Sequence, residues 1–476
     1  MTHPEPSEPI SFQAHKQEKW LERFQQASPK GRYELLLTTL NEPVLALEPD
    51  VLSYAVASVS QILGHNNLLA EQKALTALLE AKAPASYAQI RGIQALIDLQ
   101  EALFLKQPEK FETLFAVWLD PQLEVPPPYT LILKSLAYYG YPKAAAELAD
   151  KLAKKLGKKA LEEDDLLDFS LEQHRIHYLF EQITHALQEG VDPPWKPFES
   201  GLRDLGIKTK QEQAFFREQW ESSDKVQFNR LRTALADGDP ELGLFHSRLI
   251  FSRWMYKQHR LNLFTGGDMV QHALEMWLTD APDPLPSLEK LVQIDEARLH
   301  AYFERLEFDP NWDLLDAFTL LWGLPHVYDW LVECGLCKPA LRGQVMNWVE
   351  KLRPILIEQR SNALWGYDFV HRWPCPLGRE AAEFQAEAQV FAQTLNQSSP
   401  LSDNPEDSRH FDEDFPDIPD ELVDSVGAML EDQGIEVLDG LLKEIEEQMG
   451  HEAVGALLAA LEAQGYLELE YEGDEE

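Results

Sequence analysis

Ala144 to Leu156 reads AAAELADKLAKKL. Apolar residues recur there at steps of three and four, with Glu, Asp and Lys between them, which is the period of an α-helix with one buried face. Leu68 to Leu79 (LLAEQKALTALL) and Leu352 to Ile357 repeat the pattern. Strand-like alternation is scarce, its best instance being Tyr466 to Tyr471 (YLELEY). Breaks fall at Gly64-His-Asn-Asn, Gly140-Tyr-Pro, Gly190-Val-Asp-Pro-Pro, Asp237-Gly-Asp-Pro and Ala281-Pro-Asp-Pro, the turn chemistry of helix hairpins. The reading is an all-α protein of about twenty helices of ordinary length.

Around the first stretch, Ser135 to Leu152 (SLAYYGYPKAAAELADKL) sets Gly140 between two helices and places small Ala145 and Ala149 on the second. This resembles the hairpin of a tetratricopeptide repeat, where small side chains let paired helices approach. Leu235 to Ser247 (LADGDPELGLFHS) is similar in outline. The resemblance covers two hairpins, lacks the family's leading Trp and recurs at no fixed period, since Gly64, Gly140 and Gly238 lie 76 and 98 residues apart. It implies a solenoid-like scaffold that binds peptides or proteins and carries no catalytic residues. An irregular all-α body obeying the same packing rules is the alternative.

With 476 residues, 44% of them apolar, the chain can build more than one core. Ten of the twelve tryptophans fall between Trp195 and Trp373, which suggests a Leu/Ala-rich lobe over 1–190 and a Trp-rich lobe over 191–395. Residues 396–419 (NQSSPLSDNPEDSRHFDEDFPDIP) have the composition of an unpacked acidic linker, open to proteolysis, and 420–476 resume helical periodicity as a small module. No apolar run reaches 18 residues and the first eleven residues carry no export signal, so the expectation is a cytoplasmic protein with no membrane segment. Three cysteines fit a reducing compartment.

Charge is segregated. Residues 401–476 hold 25 Asp/Glu against only Arg409 and Lys443, which places −23 of the net −39 there. Such a module repels nucleic acid and attracts a protein partner with a basic surface, with Val423, Met429, Leu430, Leu457 and Leu458 as candidate apolar docking residues. Glu452 to Tyr471 is similar to the recognition helix and first wing strand of a winged-helix domain, but its helix offers no Lys or Arg, so DNA readout is not implied.

Three constellations could carry chemistry. Cys334-Gly-Leu-Cys337 with His371 and Cys375 forms a Cys3His set of zinc-ligand type, or else buried thiols in a core. His174, His177, Glu181 and His185 share one helical stripe opposite Ile176, Phe180 and Ile183, and read as a solvated polar face or as metal and proton-transfer ligands. His246, Arg253, Lys257 and Arg260 form a basic stripe fit for an acidic segment or phosphate, or for pairing with nearby carboxylates. No Gly-x-Ser-x-Gly elbow, Walker loop or dinucleotide fingerprint is present. The expectation is a non-catalytic interaction protein without cofactor, with a zinc protein or enzyme as the contrasting case.

Overall fold

The computed structural model describes residues 12–41, 47–123, 125–162, 165–279, 286–308 and 314–411. These form nineteen α-helices and short 3-10 turns, and no strand occurs among the described residues. They divide into two compact units. One takes the described residues up to Ser86 with those from Pro400 onward; the other is Tyr87–Ser399.

In the first unit, α1 (Phe12–Gln25), α2 (Pro29–Asn41), α3 (Pro49–His65) and α4 (Leu69–Lys82) pack around Phe24, Leu36, Val59, Leu63 and Leu75, all fully buried. Arg32 is buried with them, and its guanidinium donates to Ser58 Oγ and the Gln25 carbonyl. Part of the expected linker belongs to this unit. The Ser402 carbonyl accepts from the Lys30 amide, and Ser408, fully buried, donates to the Ala27 carbonyl at 2.8 Å. Ser402 and Ser408 are thereby tied to the segment around Ala27 and Lys30, contacts that composition does not reveal, while residues 403–407 between them are exposed. Residues 412–419 and the module at 420–476 lie outside the described residues.

The second unit continues through α5 (Pro84–Phe104), α6 (Phe111–Leu119), α7 (Tyr129–Tyr138), α8 (Pro142–Glu162), α9 (Asp165–Gln188), α10 (Trp195–Asp204), α11 (Lys210–Glu221) and α12 (Asp224–Ala236). Then follow α13 (Pro240–His259), α14 (Leu263–Leu278), α15 (Leu288–Leu291), α16 (Glu296–Phe308), α17 (Leu314–Glu333), α18 (Pro339–Gln359) and α19 (Ala381–Gln393). One core runs from Ala95 to Phe391 and includes Trp118, Trp277, Trp322 and Trp330. The expected division near Gly190 is thus a turn within this unit: the Leu/Ala-rich and Trp-rich stretches share a core, and a change in residue usage did not mark a boundary.

Helices α7 and α8 form the hairpin expected from the sequence. Gly140 at φ +87° ends α7, and the Tyr141 amide returns to the Leu136 carbonyl in the Schellman pattern. Ala145 and Ala149 are fully buried against α7. The centre is made by α14 and α17, which are buried nearly all round. Helix α14 crosses α13 closely at Gly266, where a Cβ would lie 3.1 Å from the Ser252 Cα.

Helix α17 contains Pro325, which cannot donate to the Leu321 carbonyl four residues back. Arg353 of α18 supplies the missing donor: its Nη2 reaches the Leu321 oxygen at 3.0 Å. The guanidinium also stacks over Trp322 at 4.7 Å and binds Glu350 at 2.6 Å. A fully buried arginine is thereby explained by a carbonyl that proline leaves open.

No helix among the described residues is long and apolar enough to cross a membrane.

Candidate functional site

Helix α14 (LFTGGDMVQHALEMWL) is mainly apolar, and its ionisable residues Asp268, His272 and Glu275 are spaced four and three residues apart on one face. Helix α7 presents Lys134 and Tyr138, one turn apart, and α17 presents Asp316. Asn262 fixes α14 against α7, capping α14 through the Thr265 amide while donating to the Ala137 carbonyl at 2.8 Å. The result is a buried ionic network. Lys134 Nζ lies 2.7 Å from Asp316 Oδ1, and His272 Nε2 lies 3.3 Å from the same oxygen and 3.9 Å from Asp268 Oδ2. Tyr138 donates to Asp268, and Tyr302 donates to Glu275 at 2.9 Å.

Burial opposes the His272 cation, yet Asp316, Glu275 and Asp268 outweigh it and push the imidazole up to about 10. Burial likewise opposes the Asp316 anion, but Lys134 and His272 hold it below the usual carboxylate range. Three carboxylates thus face His272, Lys134 and, at longer range, Arg248. Asp268, His272 and Asp316 have ligand atoms within 4.8 Å of one another, the one such trio among the described residues. Lys134 already pairs with Asp316 in this trio, and Tyr138 donates to Asp268.

Beside this network lies a cavity of about 530 Å3 between α9, α11 and α13. Its α9 wall is Phe169, Gln173, Ile176, His177 and Phe180; Phe216 and Trp220 come from α11; Leu244, Phe245, Arg248, Leu249 and Ser252 come from α13. Each helix contributes residues at steps of three and four, so one face of each lines the space. Phe180 stacks on Trp220 at 3.9 Å. Phe169 is half exposed, and Arg248 and His177 lie where the wall approaches α14, since a Cβ on Gly267 would meet Arg248 Nε at 3.2 Å and His177 Nε2 at 3.6 Å.

Arg248 Nε is buried without a hydrogen-bond partner, and the guanidinium makes no ion pair at contact distance among the described residues. Burial lowers its pKa, partly offset by the charges of Asp268 and Glu275. His177 donates from Nδ1 to the Gln173 carbonyl at 2.7 Å, which fixes the tautomer and leaves Nε2 as an acceptor. Burial, with Arg248 adding to it, pushes His177 down to about 3.

The His174 to His185 stripe is therefore not a solvated face. His174 is 3% exposed and stacks on Phe264 at 3.9 Å, and Glu181 accepts from the Leu263 amide at 3.3 Å. Only His185 of the four is exposed, and it meets the Tyr256 hydroxyl at 3.2 Å. A helix packed on several sides buries its polar stripe as well as its apolar one.

The other expected sites are dispersed or occupied. Cys334, Cys337, His371 and Cys375 are not brought together as a ligand set. Gly335 adopts φ +71° and the Leu336 amide returns to the Leu331 carbonyl, so the Cys-x-x-Cys spacing is a helix C-cap. Cys337 donates to the Lys338 carbonyl, Cys375 to the Arg379 carbonyl, and His371 Nε2 to Glu387 at 2.8 Å. In the basic stripe, His246 is buried and donates to Gln227 at 2.9 Å, Arg253 reaches the Ser222 carbonyl at 3.2 Å, and Arg260 pairs with Glu189 at 3.0 Å. Lys257 lines a smaller cavity of about 280 Å3 with Arg253, Trp254 and Cys334. Val423, Met429, Leu430, Leu457, Leu458 and the winged-helix-like stretch lie outside the described residues.

Asp268, His272, Glu275, Asp316 and Arg248 were not anticipated. The signal available was a set of ionisable residues at steps of four and three inside otherwise apolar helices. Comparison with protein-family models, curated proteins and solved structures finds no match for the chain.

Proposed function

We propose that the protein is a non-catalytic helical binding protein, with the cavity between α9, α11 and α13 as its receptor site. The observation that carries this is the cavity itself, walled by Phe180, Phe216, Trp220, Phe245 and Leu249 with few polar side chains among its described residues. A general base works best with a pKa near the operating pH. His177, pushed down to about 3, is a neutral acceptor and a poor base. The carboxylates of the adjoining network are tied to Lys134, His272 and Tyr138. What is left is recognition chemistry: aromatic and aliphatic walls with a few placed polar groups, in a volume within the roughly 300–1,000 Å3 of small-molecule sites.

The test is titration of the full chain with the neutral apolar fluorophore N-phenyl-1-naphthylamine. Saturable binding, lost in the cavity-filling variant Leu244→Trp with the helical circular dichroism unchanged, is the expected result. Absence of saturable binding, or binding indifferent to Leu244→Trp, overturns the reading.

A second reading concerns the acidic C-terminal segment as a docking element for a basic protein surface, within a scaffold of tetratricopeptide-like hairpins. Its support is the −23 charge over 401–476 and the hairpin geometry of α7 and α8. Comparing the full chain with one ending at Phe411 in affinity capture tests it: basic partners lost on truncation and on raising salt support it, and an unchanged set refutes it.

A further inference from the structure

Arg248 is the feature that receptor reading leaves unexplained. A guanidinium half-buried in a wall of phenylalanine and leucine, with its Nε sealed from solvent and unbonded, carries a desolvation cost that contact hydrogen bonds ordinarily offset. Asp268 and Glu275 act on it only through space. Gly267 leaves it room, because a Cβ at that position of α14 would lie 3.2 Å from Arg248 Nε.

Resting on the receptor reading above, we propose that the cavity takes an amphiphilic monocarboxylate, its carboxylate paired with Arg248 and its apolar body among the aromatic side chains of α9 and α11. Four observations select this class. The planar fork of a guanidinium matches a carboxylate in two parallel hydrogen bonds. Arg248 is the one cationic side chain among the described residues of the cavity wall, so one negative charge is balanced and the second charge of a phosphate monoester would face Asp268 and Glu275 unpaired. Gln173, His177 and Ser252 are the other polar side chains among the described residues of the wall, too few to satisfy the amides of a peptide. His177 Nε2, an acceptor held near Arg248, suits a protonated hydroxyl or water beside the carboxylate and repels nothing because the ring is neutral.

Displacement of bound N-phenyl-1-naphthylamine by dodecanoate, dodecanol and dodecyltrimethylammonium separates the claims. In the native full chain dodecanoate is expected to compete at least about tenfold more tightly than dodecanol, the size of a charge-assisted hydrogen bond, with the cationic amphiphile weakest. In Arg248→Met the preference for dodecanoate over dodecanol should vanish while the fluorophore still binds. Equal competition by dodecanoate and dodecanol in the native chain, or a preference that survives Arg248→Met, overturns the carboxylate assignment and leaves the receptor standing. Failure of the fluorophore itself to bind overturns both. Arg248→Lys gives a check on geometry: a point charge without the fork should retain part of the preference, and full retention would count against paired hydrogen bonds.

Discussion

Glu181→Gln should stabilise the protein at alkaline pH and leave it nearly unchanged at acid pH. Glu181 sits on α9 with its carboxylate against the first residue of α14, accepting the Leu263 amide at 3.3 Å. Burial pushes its pKa up from the ordinary 4.5 to about 7, only partly offset by that hydrogen bond. The folded chain therefore holds this proton more tightly than the unfolded chain. Stability from the protonated group is fully present below about 4.5 and is lost as pH rises through about 7. At about 1.36 kcal/mol per tenfold change in acidity, the gap corresponds to about 3 kcal/mol, and partial solvent access reduces it to roughly 2. Glutamine keeps the oxygen that accepts the Leu263 amide and has no proton to lose. Urea unfolding of native and variant chains, followed by far-UV circular dichroism, should give curves that nearly coincide near about pH 5 and separate by about 2–3 kcal/mol near about pH 8, the variant being more stable. A difference of the same size at both pH values would show that Glu181 ionises in the fold as it does in water, and the reasoning would fail.

Arg353→Met should cost about 1–3 kcal/mol by leaving the Leu321 carbonyl without a donor, and adding Pro325→Ala should recover part of the loss, because the restored amide reaches the same oxygen; additive effects in the double variant would refute the link. Gly266→Val should lower stability by about 1–3 kcal/mol or more, read as a fall in thermal midpoint, since its Cβ would press on the α13 backbone at Ser252, and an unchanged midpoint would show that the crossing can relax. Cys334 is exposed as a residue, but burial around its sulfur, with Glu333 and Asp224 adding to it, pushes the thiol up to about 12. Alkylation by iodoacetamide at neutral pH should therefore be slower than that of free cysteine, and rapid quantitative labelling would contradict the assigned surroundings.

The helical class was legible because it rests on local period. Ala144 to Leu156 forms α8 and Leu68 to Leu79 forms most of α4, as their spacing requires. Gly140 could be read as a hairpin turn because the amide of the residue after a left-handed glycine closes the preceding helix whatever else surrounds it. Long-range facts were not legible. That Trp118 and Trp277 share one core depends on which helices meet, and Trp usage along the chain carries no information about that. Ser408 reaching Ala27 spans 381 residues and is equally invisible in a polar stretch. The Cys-x-x-Cys spacing misled for a local reason: a Schellman cap and a metal knuckle both need a tight turn with glycine, and spacing alone does not distinguish them.

The site was hidden because polarity on a helix face has two meanings. On α9 the stripe from His174 to His185 was open to reading as solvated, since the apolar residues opposite it seemed enough to define the core side. That inference assumes a helix with one neighbour. Helix α9 has α8, α10 and α14 around it, so its polar stripe meets α14 at Leu263, Phe264 and Gly267 and the lining of a cavity. Once such stripes are buried, the neighbours decide ionisation: burial and cationic neighbours push His174 and His177 down, and carboxylates around His272 outweigh burial and push it up. Arg248 lies at the junction of these two environments, against His177 on one side and within the field of Asp268 and Glu275 on the other. A single guanidinium held there without a contact partner among the described residues is what turns an apolar cavity into one with a preferred charge for its occupant, and it is the residue on which the assigned ligand class depends.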